Sequence, residues 1–97
     1  MWRVVLSDTA VRNLKRIPKS KQSALVDGMR KRLSESNPLQ NGRNEFRLRR
    51  ASEFAEFELR LDPWRVFYRV QNNVVEVIMI GEKRGGKLFV EGEEFTL

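Results

Sequence analysis

The sequence predicts one α+β domain over residues 1–97: two N-terminal helices packed on one face of a small, mainly antiparallel sheet of four to five strands. The expected order is β-α-α-β-β-β, with one extra short strand at the C-terminal end. Three observations predict it. Apolar residues recur at helical spacing only between residues 8 and 36. Alternating apolar runs separated by turn residues take over from residue 45. The 97 residues, 40% of them hydrophobic, suffice for one core and leave no room for a second.

The first element is a short strand at Trp2 to Leu6, rich in aromatic and β-branched residues. Ser7 ends it and can cap a helix over residues 8–17, in which Ala10, Val11, Leu14 and Ile17 share one face and Pro18 blocks continuation. A second helix over residues 19–36 carries Ala24 or Leu25, Val26, Met29 and Leu33 as its stripe and stops at Asn37-Pro38. Residues 40–44 read as a polar loop. Strands are then expected at Glu45 to Arg50, Glu56 to Leu61, Trp64 to Gln71 and Val74 to Ile80, and a short last one at Lys87 to Val90.

Two-residue turns at Asp62-Pro63 and Asn72-Asn73 fix the registers. The first hairpin sets Leu61 opposite Trp64, Arg60 opposite Arg65, Glu58 opposite Phe67 and Phe57 opposite Tyr68. The second sets Arg69 opposite Glu76, Tyr68 opposite Val77, Phe67 opposite Ile78, Val66 opposite Met79 and Arg65 opposite Ile80. One face then carries Phe57, Leu59, Leu61, Trp64, Val66, Tyr68, Val77 and Met79 for the helices to cover. The open face carries Glu56, Glu58, Arg60, Arg65, Phe67, Arg69, Glu76, Ile78 and Ile80. On it, Glu56, Arg69 and Glu76 alternate in sign as a stable sheet requires, a structural ladder. Arg60 beside Arg65 is unfavourable for the sheet, and Lys83 and Arg84 follow the strand whose Ile80 is expected beside Arg65. Four cations are therefore expected at one end of one face, where either a bound anion or, locally, Glu58 or Glu82 would relieve them.

Composition narrows the chemistry. The chain has no histidine and no cysteine, which removes histidine-based triads, thiol nucleophiles, thiolate metal sites and disulfides. Its 19 basic residues against 13 acidic ones give a net charge of +6, concentrated as +9 in residues 1–50 against −3 in residues 51–97. A polyanionic partner follows. No apolar run reaches the ~20 residues that span a bilayer, and Asp8 interrupts the start where a signal peptide would stay apolar, so a cytoplasmic location is expected.

The segment ELRLDPWRVFYRV at residues 58–70, the start VVLSDTAVRNLKRIP at residues 4–18 and the order of elements resemble the RelE/ParE superfamily of toxins from bacterial type II toxin-antitoxin systems. The ending GEKRGGKLFVEGEEF at residues 81–95 is similar to a branch that closes with a Gly-rich basic turn and a short acidic strand. The resemblance implies a RelE-like fold and a toxin that blocks translation by cutting messenger RNA on the ribosome, held inactive by a cognate acidic antitoxin. It implies no cofactor and no metal, because basic side chains stabilise the phosphate transition state while the RNA's own 2′-hydroxyl attacks.

Matched residue by residue, Arg65 takes the place of the hairpin arginine, Arg84 that of the arginine after the last meander strand, and Arg60 that of a basic position on the preceding strand. The sequence departs from ribosome-dependent members at Glu56 and Glu58, which replace two lysines, and at Phe89 and Val90, which replace a tyrosine. Glu58 is thus the candidate base beside Arg60, Arg65 and Arg84. Arg47, Arg49, Arg50, Lys83 and Lys87, with Phe67 as a base-stacking ring, form the candidate RNA-binding set. The alternatives are a ParE-like or degenerate toxin that binds a protein target such as DNA gyrase, and a non-catalytic RNA-binding module.

Overall fold

A computed structural model of the chain describes residues 2–35, 37–39, 45–48 and 55–96. Strand β1 (Arg3–Leu6) leads into helices α1 (Asp8–Lys15) and α2 (Lys19–Met29), the second continuing as a π-helical stretch at Arg30–Glu35. Six strands follow: β2 (Glu45–Arg47), β3 (Phe57–Leu61), β4 (Trp64–Gln71), β5 (Val74–Arg84), β6 (Lys87–Val90) and β7 (Glu93–Glu94). They form one sheet in the order β2-β3-β4-β5-β6-β7, with β1 parallel to β5. The long β5 shares one edge between two partners: β1 pairs with Val74 to Val77, and β6 with Glu82 to Arg84. Among the described residues the sheet has seven strands: all six expected segments pair, and the acidic C-terminal segment turns back at Glu91-Gly92 and adds β7.

Local chemistry explains the helices. Ser7 Oγ accepts from Ala10 N at 3.1 Å and starts α1. Pro18 separates the helices, and its carbonyl accepts from Lys21 N and Gln22 N at 2.8 and 3.2 Å. Ala10, Ile17, Leu25, Met29 and Leu33 are buried against Phe57, Leu59, Val66, Tyr68, Val75 and Val77 of the sheet. Ser34 ties the end of the helical layer to β1, since Trp2 N donates to Ser34 O at 2.9 Å and Ser34 Oγ donates to Trp2 O at 2.8 Å.

The first hairpin has the predicted register in every pair of β3 with β4. The second keeps it from Asn72-Asn73, both at positive φ, as far as Arg69 opposite Glu76 and Tyr68 opposite Val77. There a bulge inserts Ile78, so Phe67 faces Met79, Val66 faces Ile80 and Arg65 faces Gly81. On the other edge β1 leaves β5 after Val77 and β6 joins it at Glu82, and in the gap side chains supply the partners: Ser7 Oγ donates to Ile78 O at 2.7 Å, and Asn13 Oδ1 accepts from Ile80 N at 3.0 Å.

The bulge corrects the expected faces. Ile80 joins the main core and Met79 crosses to the other face, each the reverse of expectation. Phe67, expected to be exposed, is fully buried in a second core with Ala55, Met79 and Leu88. Leu88 reaches that core from β6, which comes close to β5 at Gly81, where a Cβ would meet Leu88 Cδ1 at 2.8 Å and the Phe89 carbonyl oxygen at 2.9 Å. Only glycine permits this approach.

Candidate functional site

The turn at Asp62-Pro63 places Arg60 and Arg65 directly opposite each other on β3 and β4. Beside them Glu58, whose side chain is 8% exposed, accepts a hydrogen bond from Arg60 Nε. The Arg65 side chain is only 11% exposed. Its Nη1 donates to Asp62 Oδ1 and to Trp64 O, each at 2.9 Å, while its buried Nε has no hydrogen-bond partner among the described residues. Gly81, opposite Arg65, offers no side chain to crowd the guanidinium. Lys83, two residues along, continues the same face, and its Nζ lies 3.5 Å from Gly86 O. The arrangement is a carboxylate and two guanidiniums at the end of a sheet, a set that can hold an anionic phosphate.

Arg84 does not complete that cluster. The extra residue at Ile78 shifts the alternation of β5 by one, and Arg84 points to the face on which Trp64, Glu82 and Phe89 stand. These residues line a cleft of 290 Å³ between the end of α1 and the strand ends, with Asn13, Arg16 and Ile17 on its helical side. Arg84 Nε and Nη2 donate to Glu82 Oε1 at 2.9 and 2.8 Å, and its guanidinium lies over the Phe89 ring at 5.3 Å. Three of the four expected cations share a face, and the fourth faces the helices.

The cleft is closed at one end by a carboxylate with three donors. Glu91, at φ +53, accepts from Arg12 Nε at 2.9 Å and Asn13 Nδ2 at 2.6 Å, and Arg16 Nε lies 3.2 Å away. The hydrogen bond from Arg12 holds its carboxyl below the ordinary range, against the opposing effect of desolvation. Asn13 thus joins the bulged strand β5 to the turn between β6 and β7.

Of the other expected residues, Lys87 is exposed at the tip of the β5–β6 hairpin, with Nζ 3.9 Å from Glu94. Arg47 lies on β2 opposite Phe57, and Arg49 and Arg50 lie outside the described residues. Phe67 has no exposed ring to offer a base. Within the ladder, Arg69 stands opposite Glu76 as expected, while Glu56 Oε1 accepts from Val70 N at 3.2 Å. Tyr68 is buried on the core face, with its hydroxyl donating to Pro38 O at 2.6 Å. The aromatic cleft and the Glu91 cluster had no sequence signal, since each depends on partners far apart in the chain. Among the described residues no helix is long and apolar enough to cross a membrane.

Comparison with known proteins follows the same geometry. A family model described as the ParE toxin of the type II toxin-antitoxin system parDE matches residues 4–85. The fold is similar to that in the crystal structure of the toxin-antitoxin complex RelBE2 from Mycobacterium tuberculosis, with 26% identity and a TM-score of 0.70, covering 84% of this chain and 98% of that one. It is also similar to the intact E. coli RelBE toxin-antitoxin complex, with 16% identity and a TM-score of 0.53, covering 87% of this chain and 99% of that one. No curated protein matches the sequence.

Proposed function

The chain belongs to the ParE toxin family of type II toxin-antitoxin systems, within the RelE/ParE superfamily, and we propose that it arrests translation in the cytoplasm by cutting messenger RNA on the ribosome. The observation that carries this reading is the Arg60 and Arg65 pair beside the nearly buried Glu58. An adjacent 2′-hydroxyl of the RNA attacks the phosphorus and loses its proton to the Glu58 carboxylate. The bond to the 5′-oxygen breaks, and that oxygen takes a proton from water. The guanidiniums hold the charge that builds on the non-bridging oxygens. The carboxylates now paired to Arg60 and Arg65 do not forbid it. In each pair one partner is exposed, Arg60 at 49% and Asp62 at 88%, and it is this partner that turns away when a phosphate enters, while Glu58 and Arg65 keep their places.

The solved relatives are toxin-antitoxin complexes. A cognate antitoxin is accordingly the protein partner here, acidic to match the +9 charge of residues 1–50. A second reading, inhibition of a protein target such as DNA gyrase, is favoured by the position of Arg84 across the sheet and the burial of Phe67, which leave the cationic face without two of its expected RNA contacts. One induction experiment separates them: follow protein synthesis, cleavage of ribosome-bound messenger and plasmid supercoiling together. Early loss of synthesis with cleaved messenger supports the first reading. Altered supercoiling with intact messenger overturns it in favour of the second.

A further inference from the structure

The 290 Å³ cleft on the helical face has a composition that phosphate cleavage does not use. Across β4, β5 and β6, Trp64, Glu82 and Phe89 are consecutive register partners, so a carboxylate stands between two aromatic side chains on one face. Ile17 and Ile80 line the cleft from the core side, Arg84 and Arg16 contribute its cations, and Glu91, 3.2 Å from Arg16, stands at its far end. We propose that this cleft binds the guanine base of a nucleotide, stacked on Phe89 with its Watson–Crick edge on Glu82, and with the nucleotide's phosphate met by Arg16 and Arg84.

Arg84 shows the chemistry in miniature. Its planar guanidinium lies over Phe89 at 5.3 Å and presents two N–H donors to Glu82 Oε1. Guanine contains the same N–C–N array in its N1–H and N2–H groups, within a larger planar ring that stacks more surface. It is the one common base with two adjacent donors on that edge. Adenine and cytosine place an acceptor next to their donor, and uracil flanks its donor with acceptors, each of which a carboxylate repels. Arg84 is 58% exposed and Arg16 65%. Displacing Arg84 from Glu82 therefore breaks a weak surface pair and frees a cation for the phosphate. The site is independent of the cleavage reading, because it lies across the sheet from Arg60 and Arg65.

The test is calorimetric titration of the full chain with GMP, AMP, CMP and UMP. GMP should bind about tenfold or more tighter than the others, and Glu82→Gln should remove about tenfold of that affinity. Phe89→Leu, which keeps an apolar filler, should weaken all stacking and reads the same site should Glu82→Gln fail to fold. A variant with a merely structural effect would not strengthen binding, whereas Arg84→Met, which removes the occupant of Glu82, should bind phosphate-free guanosine about threefold or more tighter. A G-containing single-stranded oligonucleotide that binds about tenfold tighter than GMP assigns the site to RNA, and equal affinity assigns it to the free nucleotide; both support guanine recognition. Binding of all four nucleotides within about twofold, or of none at about 1 mM, overturns it and leaves Arg84 as the filler of its own cleft. Cleavage is not measured in this titration, so failure of the ribonuclease reading does not decide its outcome.

Discussion

Replacing Arg65 separates a catalytic role from a structural one because the two effects differ in size. In Arg65→Ala the sheet loses the packing of two methylene groups, about 1.5 kcal/mol, and one hydrogen bond to Trp64 O, about 1 kcal/mol. The contact to Asp62, 88% exposed, adds little. Against this, the variant no longer buries an unpartnered Nε, which relieves about 1–3 kcal/mol. It also removes the Arg60 repulsion, a few tenths of a kcal/mol. The terms nearly cancel, so the melting temperature should stay within about 8 °C of the parent, the shift that ~1 kcal/mol produces in a chain of this size. Cleavage of ribosome-bound messenger should instead fall about 100-fold, the effect of losing ~3 kcal/mol of transition-state stabilisation. Arg65→Lys should restore part of it, since a point charge cannot reproduce the planar fork. The assay pairs single-turnover cleavage with melting curves of the same preparations. A folded Arg65→Ala protein that cleaves at the parent rate refutes the assignment.

Further outcomes follow from other parts of the fold. Tyr68→Phe keeps the ring stacked on Phe57, at 5.2 Å between centroids, but leaves Pro38 O without its buried donor; thermal unfolding should show a loss of about 1–2 kcal/mol with toxicity intact. Gly81→Ala drives a methyl into the Phe89 carbonyl and Leu88, so it should destabilise by about 1–3 kcal/mol and speed amide exchange in β6. Unchanged exchange there would show that the hairpin can shift aside. Glu91 has a folded pKa below its unfolded one, so its stabilising effect is complete above the unfolded value and disappears as pH falls through the folded value. The melting difference between the parent and Glu91→Gln should therefore be full at neutral pH and shrink as acidification carries the pH down through the folded value. A constant difference across that range would show that Arg12, Arg16 and Asn13 do not favour the ionised carboxyl.

The legible part of the fold was the part governed by short-range rules. Asp62-Pro63 and Asn72-Asn73 fixed their turns, and with period-2 alternation this placed Arg60 against Arg65 and Tyr68 toward the helices. Ser7 and Pro18 likewise marked the ends of α1 by local capping and steric exclusion. The Glu91 cluster was not legible, since its donors lie 75 or more positions away in sequence. No local pattern distinguishes that glutamate from its acidic neighbours Glu93 and Glu94.

The decisive illegible feature is one residue long. Val77, Ile78, Met79 and Ile80 are all apolar, so either phase of the strand buries hydrophobic side chains and the pattern cannot choose between them. The choice is made from outside β5, by the Ser7 hydroxyl on Ile78 O and the Asn13 amide on Ile80 N. Those two bonds satisfy backbone groups that the gap between β1 and β6 would otherwise leave unpaired. Everything past Ile78 inherits the shift: Met79 turns to meet Phe67, Gly81 falls opposite Arg65, and Arg84 moves from the Arg60 face to the Trp64 face. One inserted residue therefore divides a single expected cationic site into a guanidinium pair on one side of the sheet and an aromatic cleft on the other. The cap residue Ser7 and the α1 residue Asn13, which hold the bulge, are in this sense determinants of both sites, although neither contacts Arg65 in the described hydrogen bonds.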